Sequence, residues 1–418
     1  PQAQSPKEEE EEANPSALAT SRDNLIEDAG EPEVENEHQM FHAYDLPLTG
    51  PFQFAVKFAD FDHDFYPDMV ISGDFGTSRM FWNERNGSFR EGHFNFIEDF
   101  LDNSMGATIG DWNLDGRLDL MFTSVSIPEK DLKTLQAIAT TSGFINNFRG
   151  NHMYQNMGGR RFEDMTDHAG VRESGWGWGA FMFDFDNDGD LDVLNGNGMD
   201  DPETTDDDWA CEQKARLYVN SGPEGKFRME DEALIRGLAD TGDNRGTMSF
   251  DYDQDGDLDV LVINHGEIPA LYRNDGGNYY DYVRVQVLEE SGRESIGAKV
   301  FVRTTKNSKV PDMIQEIGSS AAFLGQTEAT AHFGLGKDDD TSTIYSVRVQ
   351  WPPILKRDLA GTSSAPALPV NDEDIETVTI YNVQRRSTLV VRRGYGGGKV
   401  VSTNGEDIPS CPATDQNQ

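Results

Sequence analysis

The feature that most constrains this chain is an aspartate-rich loop written four times in one design. The copies run from Asp60 to Asp68, Asp111 to Asp119, Asp184 to Asp192 and Asp251 to Asp259, and share the pattern D-x-[DN]-x-D-G-x-x-D. Carboxylates set this close repel one another unless a cation sits among them. Ca²⁺ suits the task, because it is a hard ion that takes six to eight oxygens in flexible geometry. Positions 1, 3, 5 and 9 are the candidate side-chain ligands: Asp60, Asp62, Asp64 and Asp68; Asp111, Asn113, Asp115 and Asp119; Asp184, Asp186, Asp188 and Asp192; Asp251, Asp253, Asp255 and Asp259. Position 7 is the candidate carbonyl donor: Tyr66, Arg117, Asp190 and Asp257. Glycine at position 6 permits the sharp turn. The first loop has Phe65 there, so a distorted or empty site is expected, and the second carries the neutral ligand Asn113. Three to four Ca²⁺ ions are expected. The competing reading is a solvated acidic turn, since Asp and Gly favour turns anyway; four copies in matching context weigh against it.

These are not EF-hands. That motif needs a bidentate Glu at position 12, and here the residues are Ile71, Phe122, Asn195 and Val262. Strand-like runs flank the loops instead, such as Phe54–Phe58 before the first and Val260–Ile263 after the fourth. The repeat extends further. Each unit has a later strand ending in asparagine (Asn83, Asn156, Asn220, Asn274), then a glycine turn, then an aromatic (Phe89, Phe162, Phe227, Tyr279). Each unit therefore reads as four short strands, with insertions at 126–150 and 199–214. Tandem four-stranded units predict a β-propeller, whose radial repetition protects the sheet edges.

The repeats resemble the FG-GAP/VCBS repeats of integrin-α-type propellers. The Gly175-Trp176-Gly177-Trp178-Gly179 run and the L-Y-x-N stretches are similar to the branch that includes the cartilage acidic protein family. Beyond residue 280, Ile296–Val300, Gly318-Ser319-Ser320, His332–Gly336 and Val347–Pro352 follow the order of an ASPIC/UnbV domain. The resemblance implies an all-β, calcium-binding, secreted or envelope-exposed protein with no established reaction. Alternation in Val283–Val287 and Val347–Val349 independently indicates half-buried strands. The expected fold class is all-β: a calcium-binding propeller of FG-GAP/VCBS-type blades followed by an all-β ASPIC/UnbV region. Expected boundaries are 1–40 for an acidic, disordered tail, 41–283 for the propeller, 284–393 for the ASPIC/UnbV domain and 394–418 for a flexible tail. Whether the last domain stands as a sandwich or completes the ring is left open by the residues.

Net charge is −40, which excludes nucleic acid and an anionic membrane surface as partners. Residues 1–37 hold many of the acids, with Glu8–Glu12 in a row, a composition expected to be disordered. Cys211 and Cys411 allow one disulfide, but nothing in the sequence places them together. No apolar run reaches the ~18 residues of a membrane span. No signal peptide is visible, and a start at Pro1 is expected of a processed or trimmed chain.

Catalytic motifs were sought without success: G-x-S-x-G, H-E-x-x-H, the P-loop and C-x-x-C are all missing. His152, His168, His265 and His332 are isolated, and Trp176 and Trp178 are expected to pack between blades. The insertions offer a predicted helix over Leu132–Phe148 and an acidic cluster over Asp200–Asp208. The expected function is a non-enzymatic, extracellular or periplasmic binding or scaffold protein that contacts a protein partner, with an accessory subunit of a membrane complex as one form. The alternative is a carbohydrate-binding or carbohydrate-active module.

Overall fold

The structure, a computed structural model, describes residues 53–92, 103–127, 148–199, 213–305, 311–319, 323–337, 343–353, 375–394 and 399–402. The architecture is all-β. Four antiparallel meanders come first, the unit from which propellers are built. They are β1–β4 (Gln53–Ala59, Asp68–Gly73, Arg79–Asn83, Phe89–Gly92), β5–β8 (Ser104–Gly110, Asp119–Ser124, His152–Asn156, Phe162–Asp164), β9–β12 (Gly177–Phe183, Asp192–Asn197, Arg216–Asn220, Met229–Asp231) and β13–β15 (Asn244–Phe250, Asp259–Asn264, Ala270–Tyr272). Each acidic loop joins the first two strands of its sheet. The first strands lie side by side in chain order, β1 on β5, β5 on β9, β9 on β13.

The second strands β2, β6 and β10 are buried along their whole length. Both faces of the sheet are covered there, so the apolar residues Met69–Ile71, Leu120–Phe122 and Val193-Leu194 stand in consecutive positions. The cores lie between sheets, not within them. Phe61, Val70 and Trp82 pack on Ile109, Leu120 and Phe162. Trp112, Met121 and Met153 pack on Met182, Val193 and Tyr218. Phe183, Leu194 and Leu217 pack on Leu258, Val260 and Val262. A fully buried side chain of this size contributes roughly 1.5–3 kcal/mol, so each sheet depends on its neighbour.

The fourth unit departs from the expected four strands. Its last aromatic, Tyr279, sits in a 3-10 turn over Gly277–Tyr279 that leads straight into β16. Trp178 packs as expected between units, edge-on to Phe54 of the first sheet and under the Arg245 guanidinium of the fourth.

The C-terminal region is a sandwich. One sheet has the order β19-β16-β22-β23 and the other β18-β17-β20-β21 (β16 Asp281–Leu288, β17 Lys299–Arg303, β18 Met313–Glu316, β19 Thr330–Gly336, β20 Thr343–Gln350, β21 Thr377–Gln384, β22 Ser387–Arg392, β23 Lys399–Ser402). Val283, Val285 and Val287 of one sheet meet Val300, Val347 and Val349 of the other around the buried Trp351. Lys399–Ser402 pairs with β22 as an edge strand, inside the stretch expected to be a flexible tail. The acidic tail, Cys211, Cys411, the Asp200–Asp208 cluster and the predicted helix, except its last residue, lie outside the described residues. Among the described residues no helix is long and apolar enough to cross a membrane.

Candidate metal centres

All four loops close on the same internal frame. The first aspartate accepts the N–H of positions 5 and 6: Asp60 from Asp64 and Phe65, Asp111 from Asp115 and Gly116, Asp184 from Asp188 and Gly189, Asp251 from Asp255 and Gly256. The position 5 carboxylate accepts the N–H of position 7 in each loop. These bonds turn side-chain oxygens inward and bend the chain back. The bend needs left-handed backbone at two positions. Position 6 is left-handed as expected, with φ of 84° at Gly116, 101° at Gly189 and 97° at Gly256. Position 4 is left-handed too, at His63, Leu114, Asn187 and Gln254, which the pattern did not announce. Phe65 takes φ 67°, so the first loop is not distorted. It holds the shared geometry at the strain of a non-glycine residue, of order 1–2 kcal/mol.

The strand-end asparagines, seen in sequence only as a repeated letter, tie each loop to its surroundings. Their N–H groups donate to the ninth-position aspartates Asp68, Asp119, Asp192 and Asp259 at 2.7–2.8 Å. Their side-chain amides reach back to the preceding unit: Asn156 Nδ2 to the Phe61 carbonyl, Asn220 to Trp112, Asn274 to Phe185. Each amide also donates to the position 8 carbonyl of its own loop. Asn83, with no described unit before it, makes only that last bond, to Pro67.

The loops demand a cation to different degrees. In the third, oxygens of Asp184, Asp186 and Asp192 lie within 4.8 Å of one another. Asp186 Oδ1 and Asp190 Oδ1 are buried and have no hydrogen-bond partner. Burial, then the neighbouring carboxylates, pushes Asp184 and Asp192 well above the usual carboxylate range, and Asp190 to about 8. In the fourth, Asp251, Asp253 and Asp255 converge, Asp257 Oδ1 is an unpartnered buried oxygen, and burial followed by Asp255 pushes Asp257 to about 7. Donors of this kind, all hard oxygens with buried lone pairs unfilled, fit a hard cation. Asp190 and Asp257 were expected to offer only a carbonyl; each also carries a buried side-chain oxygen without a hydrogen-bond partner.

The second loop differs. Its three aspartates do not converge as a group. Asn113 Oδ1 already accepts the Asp115 N–H, and the Arg117 guanidinium binds Asp115 Oδ2 at 2.6 Å. Asp119 Oδ2 remains buried and unpartnered. The first loop brings Asp60, Asp62 and Asp68 together, yet its acids face cations. Arg160 reaches Asp62 and Arg85 reaches Asp64, each at 2.6 Å. Tyr66 of the same loop is buried.

Comparison with known sequences fits this frame. The model for FG-GAP-like repeats matches residues 50–122 and 144–195, and the model for ASPIC and UnbV matches residues 288–373. The chain carries FG-GAP repeats and an ASPIC/UnbV domain. It is homologous to cartilage acidic protein 1: 24% identical to the Mus musculus protein over 318 residues, 73% of this chain and 44% of that one. The Homo sapiens protein is 33% identical over 154 residues, 34% of this chain and 22% of that protein. The Xenopus tropicalis protein is 35% identical over 127 residues, 29% and 18% respectively. The chain thus spans less than half the length of the curated relatives it matches. The FG-GAP match stops before the fourth loop, whose membership rests on the hydrogen bonds above.

The ASPIC/UnbV sandwich is hydrogen-bonded or ion-paired to the first, third and fourth acidic loops, through residues that no loop pattern reveals. Gly334 N–H donates to Asp184 Oδ2 and Gly336 N–H to the Asn187 carbonyl. His332 Nε2 meets Asn187 Oδ1 at 2.6 Å; burial, then Arg284, pushes this imidazole down to about 3, so it is neutral. Arg284 NH1 binds Asp251 Oδ2 at 2.8 Å in the fourth loop. Lys299 Nζ binds Asp60 Oδ2 at 2.5 Å in the first. His332, which looked isolated in sequence, is therefore part of the contact between the sandwich and the loops. His168 bonds to a backbone carbonyl and His265 is exposed beside Asp243.

Proposed function

We propose that this chain is a calcium-stabilised, non-enzymatic binding or scaffold protein that works outside the cell or on the outer face of the envelope. The observation that carries the proposal is the third loop. Two buried carboxylate oxygens, on Asp186 and Asp190, have no partner at all. A buried unpaired polar group costs about 1–3 kcal/mol, and Ca²⁺ removes that cost in every loop it fills. Sites made of a few carboxylates and carbonyls suit the high free calcium of extracellular fluid, where modules bind with Kd near 10⁻⁴–10⁻³ M. The relatives' name places them in cartilage, an extracellular tissue, and the proposal extends such a setting to this chain.

The close carboxylate pairs, the kind a glycosidase uses, are engaged in closing the loops, which favours binding over catalysis. The partner we favour is another protein, of a matrix or of an outer membrane complex. The exposed β1 residues Phe54, Val56 and Phe58 support a contact role, since apolar side chains grouped on a surface mark interaction sites. Calorimetric titration of metal-stripped protein with CaCl₂ tests the first half: heat with a stoichiometry of two or more is expected, and no heat refutes it. Copurification from native matrix or membranes tests the second half. A stoichiometric protein is expected; a glycan-array hit without one replaces the reading by carbohydrate binding.

A further inference from the structure

The first loop keeps the acidic pattern of the others but is surrounded by the protein's own cations. The Lys299 ammonium, on β17 of the sandwich, is buried against Asp60, with side-chain exposures of 1% and 5%. It also lies 3.3 Å from His63 Nδ1 and 4.9 Å from the centre of the Phe65 ring. Phe65 is the residue that replaces the loop glycine. The departure that weakens the metal pattern is thus the one that supplies an aromatic face to the lysine, an attraction that grows when the cation is desolvated.

Lys299 does not act alone. Its cross-strand partner on β18 is Glu316, and Glu316 Oε2 accepts the Asp60 N–H at 3.2 Å. One residue of the first unit is therefore gripped at two points by adjacent strands of the sandwich, a cation on its carboxylate and a carboxylate on its amide. Arg160 and Arg85 take Asp62 and Asp64. The third loop, by contrast, is met by the Gly334 and Gly336 amides and the His332 side chain, with no cation of the sandwich on its carboxylates among the described residues.

We propose that the first loop is a calcium-independent latch: Lys299 of the ASPIC/UnbV sandwich, with Arg160 and Arg85, supplies the positive charge that metal supplies elsewhere, and so holds the sandwich to the first FG-GAP unit. Oxygens of Asp60, Asp62 and Asp68 still converge, so a weak ion there is compatible with the latch; dependence on it is not. The inference deepens the calcium reading above but is tested separately from it.

The test is amide hydrogen exchange of the full chain with calcium and with EGTA. At free calcium one hundredfold above Kd, withdrawal should raise exchange in the third loop by about a hundredfold, while residues 60–68 keep their protection. Loss of protection at 60–68 matching that of 184–192 overturns the latch. If neither loop responds, the calcium reading fails and the latch is judged on Lys299 alone. Lys299→Met should then open residues 60–68 and the β17–β18 segment, in calcium and in EGTA alike. Lys299→Arg, which keeps the cation, should retain most of the protection and guards against a simple folding defect. Unchanged exchange in Lys299→Met overturns the proposal, as does opening that calcium reverses.

Discussion

The first and third loops have the same backbone, the same hydrogen-bond frame and nearly the same aspartates, yet they solve the charge problem differently. Loop 3 holds five acids, Asp184 to Asp192, and leaves two buried oxygens unpartnered. Arg236, a guanidinium whose charge acts on Asp186, is paired with Glu232 instead. Loop 1 holds four acids, leaves one buried oxygen, Asp62 Oδ1, unpartnered, and is met by Lys299, Arg160 and Arg85. The difference teaches that an aspartate pattern specifies a closed loop but not its counter-ion. The counter-ion depends on which side chains other units bring to the loop mouth.

Calcium withdrawal should give the largest effect that separates the two loops. Each site filled at one hundredfold excess over Kd contributes about 2.7 kcal/mol. Metal-stripped protein should therefore melt many degrees lower in EGTA than in calcium by differential scanning calorimetry. Coincident melts break the comparison, because loop 3 would then need no metal.

Asp186→Asn should come next. In calcium it removes a charged ligand and is expected to forfeit up to about 2.7 kcal/mol, the contribution of that site. In EGTA the same change removes a like charge from a crowded cluster, so it should be neutral or stabilising. Paired urea melts of the variant in both buffers check this. A cost of equal size in both would mean that Asp186 matters to the fold and not to a metal.

Smaller effects come from the asparagines that join units. Asn220→Ala leaves the Trp112 and Leu191 carbonyls without their donor and should cost about 1–3 kcal/mol. Asn83→Ala, which reaches no preceding unit, should cost about 1 kcal/mol or less. Equal losses in denaturant melts would show that the bond across units adds nothing.

The last contrast is pH dependence, read as a slope per pH unit. Asp68 in loop 1 and Asp190 in loop 3 are both raised to about 8 by burial. The metal-free folded state therefore binds more protons than the unfolded chain, whose aspartates titrate near 3.9. Stability of stripped protein should fall as pH rises from about 4 through about 8, by at most about 1.4 kcal/mol per group per pH unit. Calcium should flatten this slope at loop 3, where it replaces the proton, and leave Asp68 in loop 1 as the residual. An upward slope in EGTA would overturn the burial argument.

Much of the molecule was legible in its residues. The repeated loops and the strands beside them gave an all-β chain in tandem units, because a period of two and a fixed turn chemistry are local properties. The strands of the ASPIC/UnbV stretch were legible for the same reason, in the Val283–Val287 and Val347–Val349 alternation, but that they form a sandwich was not. Of the two outcomes expected from Phe65, a distorted or an empty site, the backbone removes the first. A left-handed phenylalanine is strained but tolerated when Asp60 holds the Asp64 and Phe65 amides. The fourth strand of the last unit was misread, because the chain turns at Gly277–Tyr279 into the sandwich.

What the sequence by itself determined is the class of fold and the set of oxygens that face inward, since both follow from short-range geometry along the chain. What only the tertiary structure decided is which charges meet those oxygens. Lys299 lies 239 residues from Asp60, Arg160 98 from Asp62, and His332 145 from Asn187. No spacing rule connects positions so far apart. They meet because the cores form between sheets, so that packing one unit against the next, and the sandwich against the loops, sets the electrostatics of every site.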